Sequence, residues 1–198
     1  MLDNSKSGNF RKEDLRIVKT NKTLVRALLS LLKRRNFNKI TVYDLCNEAL
    51  VSRTTFYVHF NDKYDLLQYC LEDIKKQLVQ MAPEERAAAI TQYLHNHRSA
   101  VSNLLNGANA ELRAMLTEFL SGLAAEAFPA AAGGDDTPHR GNLSLFCGGG
   151  LLSLLLWLVN KNFPPGSETL VTYLCEMLRA LYRWDAGLSA PERRAGDG

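Results

Sequence analysis

Two helix-starting signals stand close together, Thr41 and Ser52, and between them they leave room for about two helical turns and one tight turn. Thr41 has Asp44 three residues on, in the position of a capping box, with Asp in place of the usual Glu or Gln. Ser52 opens the next segment. Val42, Leu45 and Ala49 share one face of the first short helix, and Phe56 and Phe60, four apart, share one side of the second, so the pattern predicts two short helices tightly joined.

The flanks repeat the helical period. From Glu13 to Arg35, Ile17, Leu24, Ala27, Leu28, Leu31 and Leu32 follow one helix face. Asn61 or Asp62 caps a further helix carrying Leu66, Leu67, Cys70, Leu71, Ile74 and Leu78 and ending before Pro83. Beyond Pro83 apolar residues run on to Leu105, where Asn106 and Gly107 form a stop; another helix is expected from about Asn109 to Ala127. Residues 128–141 have the composition of a loop, and Ser167 opens a last helix with Leu170, Leu174, Leu178 and Leu181 in register. The expectation is an all-α chain: a flexible basic arm at 1–12, a helix-turn-helix head with its linking helix at 13–80, a helical body at 81–186, and a disordered tail at 187–198.

Charge divides along the same boundary. Residues 1–80 carry 15 Lys and Arg against 9 Asp and Glu, whereas residues 81–198 carry 9 against 12. A basic head on a slightly acidic remainder is the footprint of a polyanion-binding domain, because phosphate neutralisation supplies much of the affinity for nucleic acid.

The second short helix has the properties of a DNA reader. Val51, Phe56 and Phe60 anchor one side, and Arg53, Thr54 and Thr55 present polar donors near its N-terminus. Tyr57 and His59 can donate to flanking phosphates, Lys63 adds a cation in the first turn of the next helix, and Thr41 and Tyr43 are placed to contact backbone across the groove.

The words ITVYDL, VSRTTFY, HF and DKYDLL, within about residues 13–71, resemble the signature of the TetR family of bacterial regulators. The resemblance implies an all-helical dimer with a three-helix head and a ligand-responsive body, a repressor released by its effector being the default and an activator the alternative. Similar sequences usually have Gly where this chain has Leu50, and a Leu in a left-handed turn costs roughly 1 kcal/mol or more. The phrase FCGGGLLSLLLWLVNKNFPPGSETLVTYLCEML is similar to the last two helices of one subgroup, which there form the dimer interface. That likeness nominates Gly148, Gly149, Leu152, Ser153, Leu156, Leu170, Leu174 and Leu178 for a homodimer contact. The small residues would let a second backbone approach, and the leucines would complete a four-helix bundle. Tyr93, His97, Phe119, Phe146 and Trp157 are the candidates for lining a pocket for an unidentified small-molecule effector.

Two rival classes fare worse. Residues 143–159 approach the ~20 apolar residues of a membrane span, but three glycines, Ser144 and Ser153 interrupt them, and no membrane partner is expected. For an enzyme, no G-x-S-x-G, P-loop or H-E-x-x-H motif is present. His95 and His97, two apart on a helix, cannot chelate one metal together, so neither catalysis, metal nor cofactor is expected. Cys46, Cys70, Cys147 and Cys175 are widely spaced within apolar helical patterns and read as core thiols of a cytoplasmic protein. The partners expected are double-stranded DNA with a palindromic operator and a second copy of the chain.

Overall fold

The computed structural model describes residues 5–127 and 138–188, and within them every regular element is helical. The helices are α1 (Ser5–Leu32), α2 (Val42–Ala49), α3 (Arg53–His59), α4 (Lys63–Gln80), α5 (Pro83–Asn96), α6 (Arg98–Leu105), α7 (Ala110–Ala127), α8 (Pro138–Asn160) and α9 (Ser167–Leu188), with a 3-10 turn at Phe37–Lys39. Among the described residues they form two compact units, one of residues up to 73 with 97–108, and one of residues 74–96 with those from 109 onward.

In the first unit α1 turns Leu24, Leu28 and Leu31 inward, and these close over Phe37, Ile40, Leu45, Phe56 and Leu66. All eight side chains are buried to within two per cent of their surface, so the short helices are fixed by tertiary burial, which helices of seven and eight residues need. Ala100 and Leu105 of α6 are buried as well, and Asn103 Nδ2 donates 2.8 Å to the Leu32 carbonyl, satisfying an acceptor at the end of α1.

The second unit has its core at Ala124, Cys147, Val171, Cys175 and Leu178, contributed by α7, α8 and α9. Asn109 Oδ1 accepts from the Leu112 N–H at 2.9 Å and starts α7. Arg86, buried on α5, donates through Nε to the Leu78 carbonyl (3.1 Å) and through Nη2 to that of Val79 (2.9 Å), placing positive charge where α4 ends. Gly148 is where α8 crosses α7 most closely: a Cβ there would collide with Ser121 Oγ and come within 2.7 Å of the Thr117 carbonyl oxygen and 2.8 Å of the Ser121 nitrogen.

Three expectations need correction. Residues 5–12, read as part of a flexible arm, belong to α1, since no Pro interrupts them and a formed helix extends at little cost once nucleated. The single helix expected from Pro83 to Leu105 breaks at His97, whose φ of −113° and ψ of 19° leave the helical region, and α6 joins the first unit while α5 stays in the second. The head and body are therefore not separated by one cut near residue 80. The loop of residues 128–141 gives way to helix at Pro138; residues 128–137 and 189–198, with most of the predicted tail, lie outside the described residues.

α8 is long and apolar enough to cross a membrane, and one side of it packs within the second unit. Ser144, Cys147, Leu152, Leu158 and Val159 are buried along it, in addition to the close crossing at Gly148.

Candidate nucleic-acid interface

Hydrogen bonding at both ends of the short helices builds the reading unit. The capping box at α2 is complete: Thr41 Oγ1 accepts from the Asp44 N–H (3.1 Å), and Asp44 Oδ2 accepts from the Thr41 N–H (2.9 Å) and hydroxyl (2.6 Å). Arg35 Nη1 donates to Asp44 Oδ1 at 2.9 Å, while Glu48 accepts from Ser30 (2.7 Å) and pairs with Arg34 (2.8 Å). α2 is thereby tied to the end of α1 at both of its ends. The bonds from Thr41, assisted by Arg35, hold the Asp44 carboxyl below its ordinary range.

The turn to α3 is left-handed at Leu50, with φ 55° and ψ 40°. The Leu50 N–H donates to the Asn47 carbonyl (3.3 Å) and the Val51 N–H to that of Cys46 (3.0 Å), the crossed pair of a Schellman motif. A turn that similar sequences make with Gly is thus made here with Leu, whose side chain is 92% exposed. Ser52 Oγ then accepts from the Thr55 N–H at 3.0 Å and starts α3.

Phe56 on α3 and Phe60 at its C-terminal end are buried, and Phe60 meets the Tyr69 ring edge-on with centroids 5.5 Å apart. Arg53 and Thr54 are exposed, as is Tyr57, whose ring lies 6.0 Å from the Arg53 guanidinium carbon. Thr55 is half-buried with its hydroxyl 2.8 Å from Ser52 Oγ, so both hydroxyls serve the cap. His59 is half-buried beside Phe60, and Tyr43 stands exposed at the start of α2. Val58, four residues after Thr54 on the open side of α3, is 77% exposed, a position that apolar contact with a thymine methyl would use. The four-residue spacing from Thr54 was the signal for it.

Lys63 faces the other way. Its ammonium donates to the carbonyls of Phe37 (3.0 Å), Asn38 (3.3 Å) and Ile40 (2.9 Å) and lies 4.7 Å from the Phe37 ring centroid. Three bonds occupy its three protons, and burial lowers its pKa. The role at α4 expected from a phosphate-facing cation is replaced by a brace between α4 and the 3-10 turn. Asp62 is the residue that caps α4, accepting from the N–H groups of Tyr64 (2.8 Å) and Asp65 (2.9 Å).

These features, a braced α2, a tight turn and an α3 that exposes polar groups over two buried aromatics, are those of a helix-turn-helix. Residues 24–70 match the family described as bacterial regulatory proteins, tetR family. The head is of the TetR family. Over 80 residues the chain is 31% identical to the uncharacterized HTH-type transcriptional regulator YxbF of Bacillus subtilis (strain 168), a match covering 40% of this chain and about a fifth (21%) of that protein. Among solved structures, the dihydroxyacetone kinase operon activator DhaS superposes with a TM-score of 0.59 at 14% identity, over 84% of this chain and 98% of that one. A TetR transcriptional regulator from Streptococcus agalactiae 2603V gives a TM-score of 0.54 at 24% identity, over 85% and 98%. At those identities the likeness is one of fold, and it extends beyond the TetR head into the second unit.

The residues nominated in the second unit divide. Gly148, Leu152 and Leu178 are buried within the chain, Gly148 against α7, and are not free to meet a second copy. Gly149 has nothing within 4 Å of where a Cβ would stand; Ser153 is exposed, and Leu156, Leu170 and Leu174 are half-buried. Of the pocket candidates, Phe146 (73%) and Trp157 (45%) are exposed, so they do not line a closed cavity. Tyr93, His97 and Phe119 are half-buried, with His97 in the first unit and the other two in the second. The uniform apolarity of α8 concealed which face was which. Among the described residues, no cluster of three or more His, Cys, Asp or Glu could hold a metal.

Proposed function

We propose that this chain is a sequence-specific DNA-binding transcriptional regulator that works as a cytoplasmic homodimer on a two-fold symmetric operator. The observation that carries the reading is α3: Ser52 caps it, Phe56 anchors it, and Arg53, Thr54, Tyr57 and Val58 are left exposed on it. In the proposed complex Arg53, Thr54 and Val58 meet base edges, whereas Tyr43 and Tyr57 donate to phosphates, positioning α3 without reading sequence.

The exposed Leu145, Phe146 and Trp157 of α8, with Tyr173 and Met177 of α9, support a homodimer, because large apolar side chains exposed on two helices of one unit suit a protein contact. A dimer would place two copies of α3 in successive major grooves, ~34–36 Å apart. A small molecule bound by the second unit would release DNA by changing that spacing, which makes repression the default. The fold likeness to a protein described as an operon activator keeps activation as the second reading.

The test is selection from random duplexes at near-physiological salt with the full chain, scored for two-fold symmetry. Enrichment of a symmetric site supports the regulator, and Arg53→Ala is expected to relax base preference at one position of each half-site. A folded protein that enriches no sequence would overturn the proposal.

A further inference from the structure

From Leu15 to Tyr43 the chain contains no Asp or Glu, while Arg16, Lys19, Lys22, Arg26, Lys33, Arg34, Arg35 and Lys39 all fall within it. The structure treats these cations in two ways. Arg34 and Arg35, in the turn that follows α1, are matched to Glu48 and Asp44 of α2. Arg16, Lys19, Lys22 and Arg26 lie earlier on α1, all exposed, at spacings of three, three and four residues. That spacing puts them on one helix face, turned away from the buried Leu24, Leu28 and Leu31.

Solvated helix faces ordinarily alternate charge, and each like-charged i,i+3 or i,i+4 pair costs a helix ~0.2–0.5 kcal/mol. Three such pairs occur in a row here with no acidic residue on the helix between them, whereas carboxylates are supplied where α1 meets α2. The four cations span eleven residues, about 15 Å of helix, and a duplex carries a negative charge every ~1.7 Å of its axis. A polyanion of high, regular charge density would relieve the repulsion along its whole length.

We propose that this face of α1 is a second DNA-binding surface, one that neutralises duplex phosphates through Arg16, Lys19, Lys22 and Arg26 and carries no base specificity. It rests on the reading of the head as a DNA-binding domain and adds a sequence-independent contact distinct from α3. Its signature is salt dependence, since each phosphate neutralised contributes about 0.9 to the slope of log affinity against log salt.

The experiment measures binding of the full chain to a random-sequence 40-base-pair duplex and to its selected site, by fluorescence anisotropy between 50 and 200 mM KCl. The variant Arg16→Gln, Lys19→Gln, Lys22→Gln, Arg26→Gln is expected to flatten the slope by about 3.6 on both duplexes, which removes roughly 150-fold of the affinity lost over that salt range, with base preference retained. Arg16→Lys with Arg26→Lys should keep the wild-type slope. Circular dichroism checks folding, and should the fourfold variant unfold, Lys19→Gln and Lys22→Gln singly should each flatten the slope by about 0.9. An unchanged slope in a wild-type-like fold overturns this inference while leaving the regulator intact. An unchanged slope together with lost sedimentation on phosphatidylserine vesicles reassigns the face to a membrane surface. A wild-type chain that binds neither duplex overturns both.

Discussion

Leu50 and Lys63 show how much a single side chain decides in the head. Leu50 sits at φ 55° with 92% of its surface exposed, so it bears the strain of a left-handed residue without burial in return. Leu50→Gly should therefore stabilise the protein by about 0.5–1 kcal/mol, the relieved strain being partly offset by the greater freedom of Gly in the unfolded chain. Urea unfolding would measure the gain, and DNA affinity should not change because the turn keeps its geometry. Lys63 braces three carbonyls of the segment before α2. Lys63→Met should cost about 1–3 kcal/mol of stability while leaving the salt slope of DNA binding as it is; a slope flatter by about 0.9 with unchanged stability would return Lys63 to the phosphates. The strained turn was legible from the likeness to sequences with Gly at that position, since the rest of the motif fixes where the chain must reverse. The direction of Lys63 was not, because a cation in a first helical turn suits a phosphate and an inward carbonyl equally, and its acceptors lie 23 to 26 residues earlier in the chain.

Where the elements had caps and periodicity, their presence and buried faces were readable, although α1 begins at Ser5, ahead of the Glu13 that its apolar pattern suggests. The Thr41 and Ser52 caps and the Phe56–Phe60 pair located α2 and α3, and the leucines of α1 named its buried face. The break at His97 had no Pro or Gly to announce it, and only the structure shows the chain returning to the first unit there. α8 concealed its orientation for the opposite reason: apolar residues on every side give no period from which to choose a face. Its glycines nevertheless differ sharply. At Gly148 a methyl group must displace backbone atoms of α7, so Gly148→Ala should destabilise by about 1–3 kcal/mol. At Gly149 the space is open in a single chain, and Gly149→Ala should stabilise the folded protomer by about 0.5–1 kcal/mol. Thermal unfolding of the pair distinguishes the crossing within a chain from one between chains, since loss of stability at Gly149 instead would mean that a second backbone lies against it.

For the whole molecule, the feature that the sequence could not assign is the use made of the apolar residues left over once α7, α8 and α9 have formed their core. Leu145, Phe146, Trp157, Tyr173 and Met177 are between 45% and 73% exposed. Burying such a set in a second copy would offset the cost of exposing it, at about 25 cal/mol for each Å² removed from water. Phe146, the most exposed of the five, makes the test specific because it contributes little to the chain's own core. Phe146→Glu should leave helix content and unfolding of the isolated chain unchanged, while placing two like charges into the proposed contact between copies. Light scattering at micromolar concentration should then give twice the 22.1 kDa chain mass for the wild type and the single-chain mass for the variant. On a symmetric operator the variant should lose most of its advantage over half-site DNA, because one α3 no longer brings the other with it. A variant that remains at the doubled mass would place the contact between copies elsewhere.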